Sequence, residues 1–177
     1  MKTIYITRKP ITKINADVLV NAANEELMAG GGVCGAIFAA AGHKELQEAC
    51  DKIGYCDPGS AVITPGFKLC KYIIHAVGPR YKDGKHNEDS LLYSCYKKSL
   101  DLAKSNNCND IVFPLISAGI FGYPAVEAFY QAIKACKDWL NENDNSNLKI
   151  IFSIPEENKY NIGILTAKKL EIDILTK

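Results

Sequence analysis

The chain has 177 residues, with 21 Lys and Arg against 20 Asp and Glu, a formal net charge of +1. That length suits one domain, large enough to bury about 70% of its unfolded surface without disulfide or metal staples. The hydrophobic share of 47% and charged share of 23% exclude extended disorder, and a near-neutral charge with no basic run argues against nucleic acid as a partner.

In chain order, Thr3–Thr7 alternates as a strand does, and residues 17–21 hold the apolar run Val18, Leu19 and Val20. Residues 60–64 and 71–77 read as two further strands, 111–116 as another and 148–154 as the last. The apolar runs are continuous rather than alternating, which predicts strands covered on both faces. Helical patterns lie between them. Residues 33–41 are rich in Ala and follow a glycine cluster, and His43–Ile53 continues as a second helix. In Glu88–Ser105, the residues Leu91, Leu92, Cys95, Tyr96, Leu100 and Ala103 gather on one face. Residues 125–140 repeat the pattern, and 161–170 predict a terminal helix. Strands alternating with helices predict an α/β fold, a three-layer α/β/α sandwich with a mixed central sheet, as a single domain over residues 1–177. Ligands of such folds collect in the loops beyond the carboxyl ends of the strands.

The seven cysteines are odd in number and irregularly spaced, with no CxxC pair, which predicts reduced thiols rather than a disulfide framework or zinc knuckle. Residues 1–10 lack the apolar core of a signal peptide. The uncharged stretches 27–42 and 111–126 are shorter than the roughly 20 residues of a membrane span and are broken by Gly or Pro. A cytoplasmic protein without membrane partners is expected.

Three segments do not read as plain connectors. Asn21-Ala22-Ala23-Asn24 follows a buried strand. Gly30-Gly31-Gly32-Val33-Cys34-Gly35 runs into a helix. Ser117-Ala118-Gly119-Ile120-Phe121-Gly122-Tyr123-Pro124 joins a strand to a helix. Glycine loops at helix starts expose backbone N–H groups at the positive end of the helix dipole, and two such loops can grip the two phosphates of one diphosphate. The alternative is a pair of tight turns without a ligand. Gly30, Gly32 and Gly35 also satisfy GxGxxG. That fingerprint belongs directly behind a strand, whereas residues 22–29 intervene here. The acidic partner about twenty positions on would be Asp51 or Asp57, neither ending a strand, so a dinucleotide dehydrogenase is the weaker reading. Asn24, beside the glycine loop, either holds a sugar hydroxyl or caps a turn.

Residues 18–35, VLVNAANEELMAGGGVCG, resemble the signature of macrodomains, especially the MacroD-type and viral branches. The segments IIHAVGP at 73–79 and FPLISAGIFGY at 113–123 look like two further family motifs, in family order, so the resemblance covers most of the chain. It implies an ADP-ribose cleft. By that pattern Ala22 and Ala23 form the floor, and Asn24 hydrogen-bonds the distal ribose. Gly31, Gly32 and Val33 line one side of the diphosphate. Ser117, Ala118, Gly119 and Ile120 line the other, with Phe121 packed on the distal ribose. Asn24 and Gly32 would carry the catalytic geometry together with Cys34, which stands where MacroD-type hydrolases place an aspartate. Viral relatives have alanine there.

Two further departures fall at the adenine end. In the stretch matching the family's G-D-I-T, Lys9-Pro10-Ile11-Thr12, Pro10 replaces the aspartate that contacts the adenine amino group, while Ile11 remains in the ligand-binding set. Pro155 falls where the family often carries an aromatic residue. A zinc-bearing branch places His and Cys ligands before the first cleft helix. Residues 25–32 hold neither, so no metal and no cofactor are expected. His43, Cys50 and Cys56 are not spaced as a ligand set, and His75, in a buried strand, reads as a satisfied core residue rather than a base.

The resemblance implies hydrolysis of ADP-ribosyl esters, either mono-ADP-ribosylated Asp and Glu on proteins or O-acetyl-ADP-ribose. The expected partner is ADP-ribose or an ADP-ribosylated protein. A non-catalytic ADP-ribose reader is the alternative, suggested by Cys34. A binder of a related nucleotide is another, suggested by Pro10.

Overall fold

The computed structural model describes residues 3–177; Met1 and Lys2, the start of the segment inspected for a signal peptide, lie outside the described residues. The elements are β1 (Thr3–Thr7), β2 (Val18–Ala22), α1 (Gly32–Ala41), α2 (His43–Ile53), β3 (Ala61–Pro65), β4 (Tyr72–Ala76), α3 (Glu88–Ser105), β5 (Asp110–Phe113), α4 (Ala125–Glu142), β6 (Lys149–Ser153), α5 (Glu157–Lys169) and β7 (Asp173–Thr176). The seven strands form one sheet in the order β3-β4-β2-β5-β6-β1-β7. Every pairing is parallel except β3 with β4, so the sheet is mixed.

Successive side chains of a strand point to opposite faces, so each continuous apolar run feeds two cores at once. Val18, Val20, Ile111, Phe113, Ile150 and Phe152 face a cluster built with α3, α4 and α5. Leu19, Val112 and Ile151 face a second cluster with Ile37 and Phe38 of α1 and Leu46 of α2. These are the three expected layers. Trp139 of α4 is fully buried, and its indole N–H donates to Asp101 Oδ1 (2.8 Å), which fastens α4 to α3. Among the described residues no helix is long and apolar enough to cross a membrane.

Most expected ranges shift by one or two residues, and four differences are larger. The strand expected over 111–116 ends at Phe113, because Pro114 has no N–H to continue the ladder. Residues 114–122 are thereby freed to form a loop. The last helix begins at Glu157 rather than 161. A short 3-10 turn, Ile11–Lys13, follows β1. The run 148–154 is not the last strand: β7 pairs with β1 at the sheet edge, from Thr3↔Asp173 to Ile6↔Thr176.

His75 is fully buried on β4. Its Nδ1 lies 3.0 Å from Asn21 Nδ2, and its Nε2 lies 3.0 Å from Thr64 Oγ1, which donates onward to the Pro65 carbonyl. The neutral Nε2–H tautomer satisfies all three contacts, and a second ring proton would face the Asn21 donor. Burial pushes the imidazole down from 6.5 to about 4. The unfolded chain therefore takes up the proton first. The stabilisation is complete above pH 6.5 and is lost as pH falls toward 4, by on the order of 3 kcal/mol. The melting temperature is expected to fall over that window. His75→Gln should flatten this part of the profile; an unchanged slope would place the acid sensitivity elsewhere.

Candidate functional site

Because β2, β4, β5 and β6 run parallel, their carboxyl ends meet at one edge of the sheet. The residues just beyond those ends surround a cavity of about 290 Å³. Ala22, Ala23 and Asn24 come from β2, Gly78 from β4, the stretch from Pro114 from β5, and Ser153, Ile154 and Pro155 from β6. A further wall is Gly30 through Cys34, at the start of α1.

That helix start has unusual chemistry. Gly31 is the N-cap, no side chain caps the helix, and the first turn holds no acidic residue. The first N–H groups of a helix have no intrahelical partner and carry partial positive charge. A Cβ built on Gly30, Gly31 or Gly32 meets nothing within 4 Å, so a ligand can approach the backbone itself. The opposite wall is the loop after β5. Ser117 turns the chain in the left-handed region (φ 68°), and Gly122 (φ 74°) ends the loop. Gly122 N–H donates to the Gly119 carbonyl (3.0 Å) and Tyr123 N–H to that of Ser117 (2.9 Å), which fixes the loop's shape. Buried Ser117 Oγ has no hydrogen-bond partner among the described residues.

Of the residues singled out in sequence, Ala22, Ala23, Asn24, Gly31, Gly32, Val33, Cys34, Ser117, Gly119, Ile120 and Phe121 all line this cavity. Two lie elsewhere. Ile11 lines an adjoining cavity of about 180 Å³ with Pro10, Thr12 and Pro155, while Val33 and Gly32 border both spaces. Ala118 turns toward the cluster under α3, α4 and α5, and its carbonyl faces the Lys159 ammonium (3.5 Å). Asn24 serves a turn: Oδ1 accepts from Met28 N–H (3.0 Å) and Nδ2 donates to the Met28 carbonyl (2.9 Å). A second Nδ2 hydrogen and a second Oδ1 lone pair are left for a ligand, so turn and sugar contact are compatible.

Cys34 is buried among Leu27, Ile37 and Phe38, with its thiol 3.8 Å from the Met28 carbonyl. The other titratable groups lining the cavity are Glu156 and Lys159, paired with each other at 3.3 Å. Sequence reasoning missed both. Lys159 fell before the start expected for the last helix; it sits in the first turn of α5, and its ammonium reaches the Ala118 carbonyl in the loop after β5. Gly78 was also missed as a site residue, although it lies within the 73–79 motif. A Cβ there would sit 2.2 Å from Ser117 Oγ and 2.6 Å from Ile116 Cγ2. Asp83, His86 and Glu88 gather outside the cavity lining, and Glu88 accepts N–H bonds from Lys82, Asp83, Gly84 and His86, which makes it the staple of its own loop.

Fold and site define a three-layer α/β/α domain whose cleft presents an uncapped helix N-terminus opposite a second backbone-rich loop, the chemistry of a phosphate-bearing ligand site. The family model described as Macro domain matches residues 20–132. The O-acetyl-ADP-ribose deacetylase of Escherichia fergusonii is 46% identical over 145 residues, covering 79% of this chain and 81% of that protein. Human ADP-ribose glycohydrolase MACROD2 is 44% identical over 155 residues, covering 85% of this chain and 36% of that much longer protein. The Oceanobacillus iheyensis macrodomain solved with ADP superposes with a TM-score of 0.84 at 38% identity, over 92% of this chain and 88% of that one. The chain belongs to the macro domain family.

Proposed function

We propose that this chain binds ADP-ribose in the cleft and hydrolyses ADP-ribosyl esters, on mono-ADP-ribosylated Asp or Glu of proteins or in O-acetyl-ADP-ribose. One observation carries the reading: three open glycines at an uncapped helix start face the loop after β5 across a cavity floored by β2. In it, the diphosphate accepts backbone N–H bonds from both walls, and the distal ribose lies against Asn24 and Phe121. The relatives named as a deacetylase and a glycohydrolase support the activity. Hydrolysis consumes one water, which cleaves the ester and releases a carboxylic acid and a free ribose hydroxyl. The cleft supplies position and electrostatic stabilisation. In this reading the substrate's own phosphate takes the proton from the attacking water and passes it to the leaving ribose oxygen, which gives the free hydroxyl, while His75 is sealed in the core.

Incubation with a mono-ADP-ribosylated protein tests the reading. Release of ADP-ribose supports it. A modified protein that stays bound and intact would make the chain a reader, the alternative that Cys34 favours. Seven unpaired thiols, six of them buried, support a reducing, cytoplasmic setting as part of the same proposal.

Cys34 decides between two roles for its position. A buried thiol in the same apolar cluster as Leu27 and Phe38 behaves as a small hydrophobe. A thiolate there would repel the bound diphosphate. Cys34→Ala should therefore keep most of the native single-turnover rate on a glutamyl-ADP-ribosylated protein. Cys34→Asp should raise that rate, by about tenfold or more, because a carboxylate at this position can orient the attacking water. If Cys34→Ala loses activity by orders of magnitude while still binding ADP-ribose, the thiol takes part in the chemistry.

A further inference from the structure

Phe121 stands at the end of the cleft assigned above to the distal ribose, yet its ring belongs to neither core cluster. Its neighbours do little to hold it. Ile120 is 88% exposed, and a Cβ on Gly119 or Gly122 would meet nothing within 4 Å. What does hold it comes from the loop after β4. Tyr81 N–H donates to the Phe121 carbonyl (2.8 Å), and the Arg80 guanidinium lies over the ring, 4.5 Å from its centroid. Arg80 Nη1 in turn donates to both carboxylate oxygens of Glu25, at 2.7 and 2.8 Å. Glu25 directly follows Asn24, and its own carbonyl accepts from Cys56 N–H (2.9 Å).

We propose that Arg80, anchored by Glu25, is a positioning residue that sets the Phe121 ring for the distal ribose and couples it to Asn24 on the other wall. The proposal rests on the ADP-ribose reading of the cleft. An exposed ion pair by itself does little. Here the Arg80 side chain is 57% exposed but that of Glu25 only 18%, both Glu25 oxygens accept from Nη1, and the guanidinium lies over the ring. The pair therefore restricts where an otherwise loosely held ring can sit, and a contact made with a pre-placed ring does not have to order it first. Arg suits this role because Nη1 reaches both Glu25 oxygens while the rest of the weakly hydrated guanidinium lies over the ring, a reach that the compact, strongly hydrated ammonium of Lys reproduces only in part.

The test compares ADP-ribose with ADP, which lacks the distal ribose but shares the adenosine and diphosphate contacts. Calorimetry on native protein, Arg80→Met, Arg80→Lys and Glu25→Gln gives the ratio of the two affinities. Arg80→Met should weaken ADP-ribose by about three- to tenfold, the range of a cation–π contact and its ring placement, and leave ADP within about twofold. Single-turnover hydrolysis should fall by a larger factor than affinity. Arg80→Lys should recover part of both, and Glu25→Gln should lie between. A variant that discriminates between the ligands as the native protein does would overturn the role of Arg80 alone, as would equal weakening of both. Failure of the native protein to bind ADP-ribose would instead overturn the cleft reading, and this proposal with it. If Arg80→Met fails to fold, Glu25→Gln carries the same comparison.

Discussion

Gly31→Glu abolishes ADP-ribose binding in a protein that remains folded. Gly31 has φ −89°, open to any residue, and a Cβ there meets nothing within 4 Å, so the backbone accepts a side chain without strain. Gly31 is the N-cap of α1, where a carboxylate interacts favourably with the helix dipole. The melting temperature should therefore hold or rise slightly. The same carboxylate stands in the place proposed for a diphosphate. Like charges about 4 Å apart repel by about 4 kcal/mol at the effective dielectric of a protein surface, on the order of a thousandfold in affinity. Gly32→Glu should do at least as much, but Gly32 has φ 58°, and a left-handed side chain adds roughly 1–2 kcal/mol of strain. Gly31→Glu therefore separates charge from strain, with Gly31→Ala as the neutral control. Titration calorimetry giving native affinity for Gly31→Glu would remove this helix start from phosphate binding.

The second large effect belongs to Gly78, which touches the loop after β5 without belonging to it. A methyl group at Gly78 would lie 2.2 Å from Ser117 Oγ and 2.6 Å from Ile116 Cγ2. The hydroxyl can rotate away. The Ile116 methyl branches from Cβ in a residue only 1% exposed, so relief needs movement of the loop backbone. Gly78→Ala should cost about 1–3 kcal/mol of stability, the usual range for overpacking. It should also weaken ADP-ribose by at least about tenfold, since the displaced loop is one wall of the cleft. Thermal melts and calorimetry on one preparation check both. Lowered stability with native affinity would show that the strain escapes toward the core and not into the site.

Much of this molecule was legible along the chain because the signals are local. Val18-Leu19-Val20, with residues on either side of it facing different cores, needed only the two-residue period of a strand to read as doubly covered. The glycines from Gly30 to Gly35 are backbone facts that hold in any surroundings; Pro114 is a signal of the same local kind, yet the strand expected over 111–116 ran through it. The strand β7 was missed because Asp173–Thr176 is only four residues long and follows directly on a helix, although Ile172, Asp173 and Ile174 already alternate apolar and polar.

The chain order also revealed that Asn24, the glycine cluster and the 117–123 loop follow strands or precede helices, which put them at one edge once the strands ran parallel. What that edge contains was decided only in three dimensions. Ile11 entered an adjoining cavity and Ala118 turned to the core, since the direction of one side chain in a loop depends on what packs beneath it. Lys159 reached the cleft from the first turn of α5, and Gly78 mattered because Ser117 and Ile116 lie against it. Glu25 and Arg80, 55 residues apart, have no pattern that announces them. Periodicity and backbone chemistry are carried by neighbours in sequence, whereas an ion pair, a close approach or a cavity wall exists only after the sheet has set its strand order.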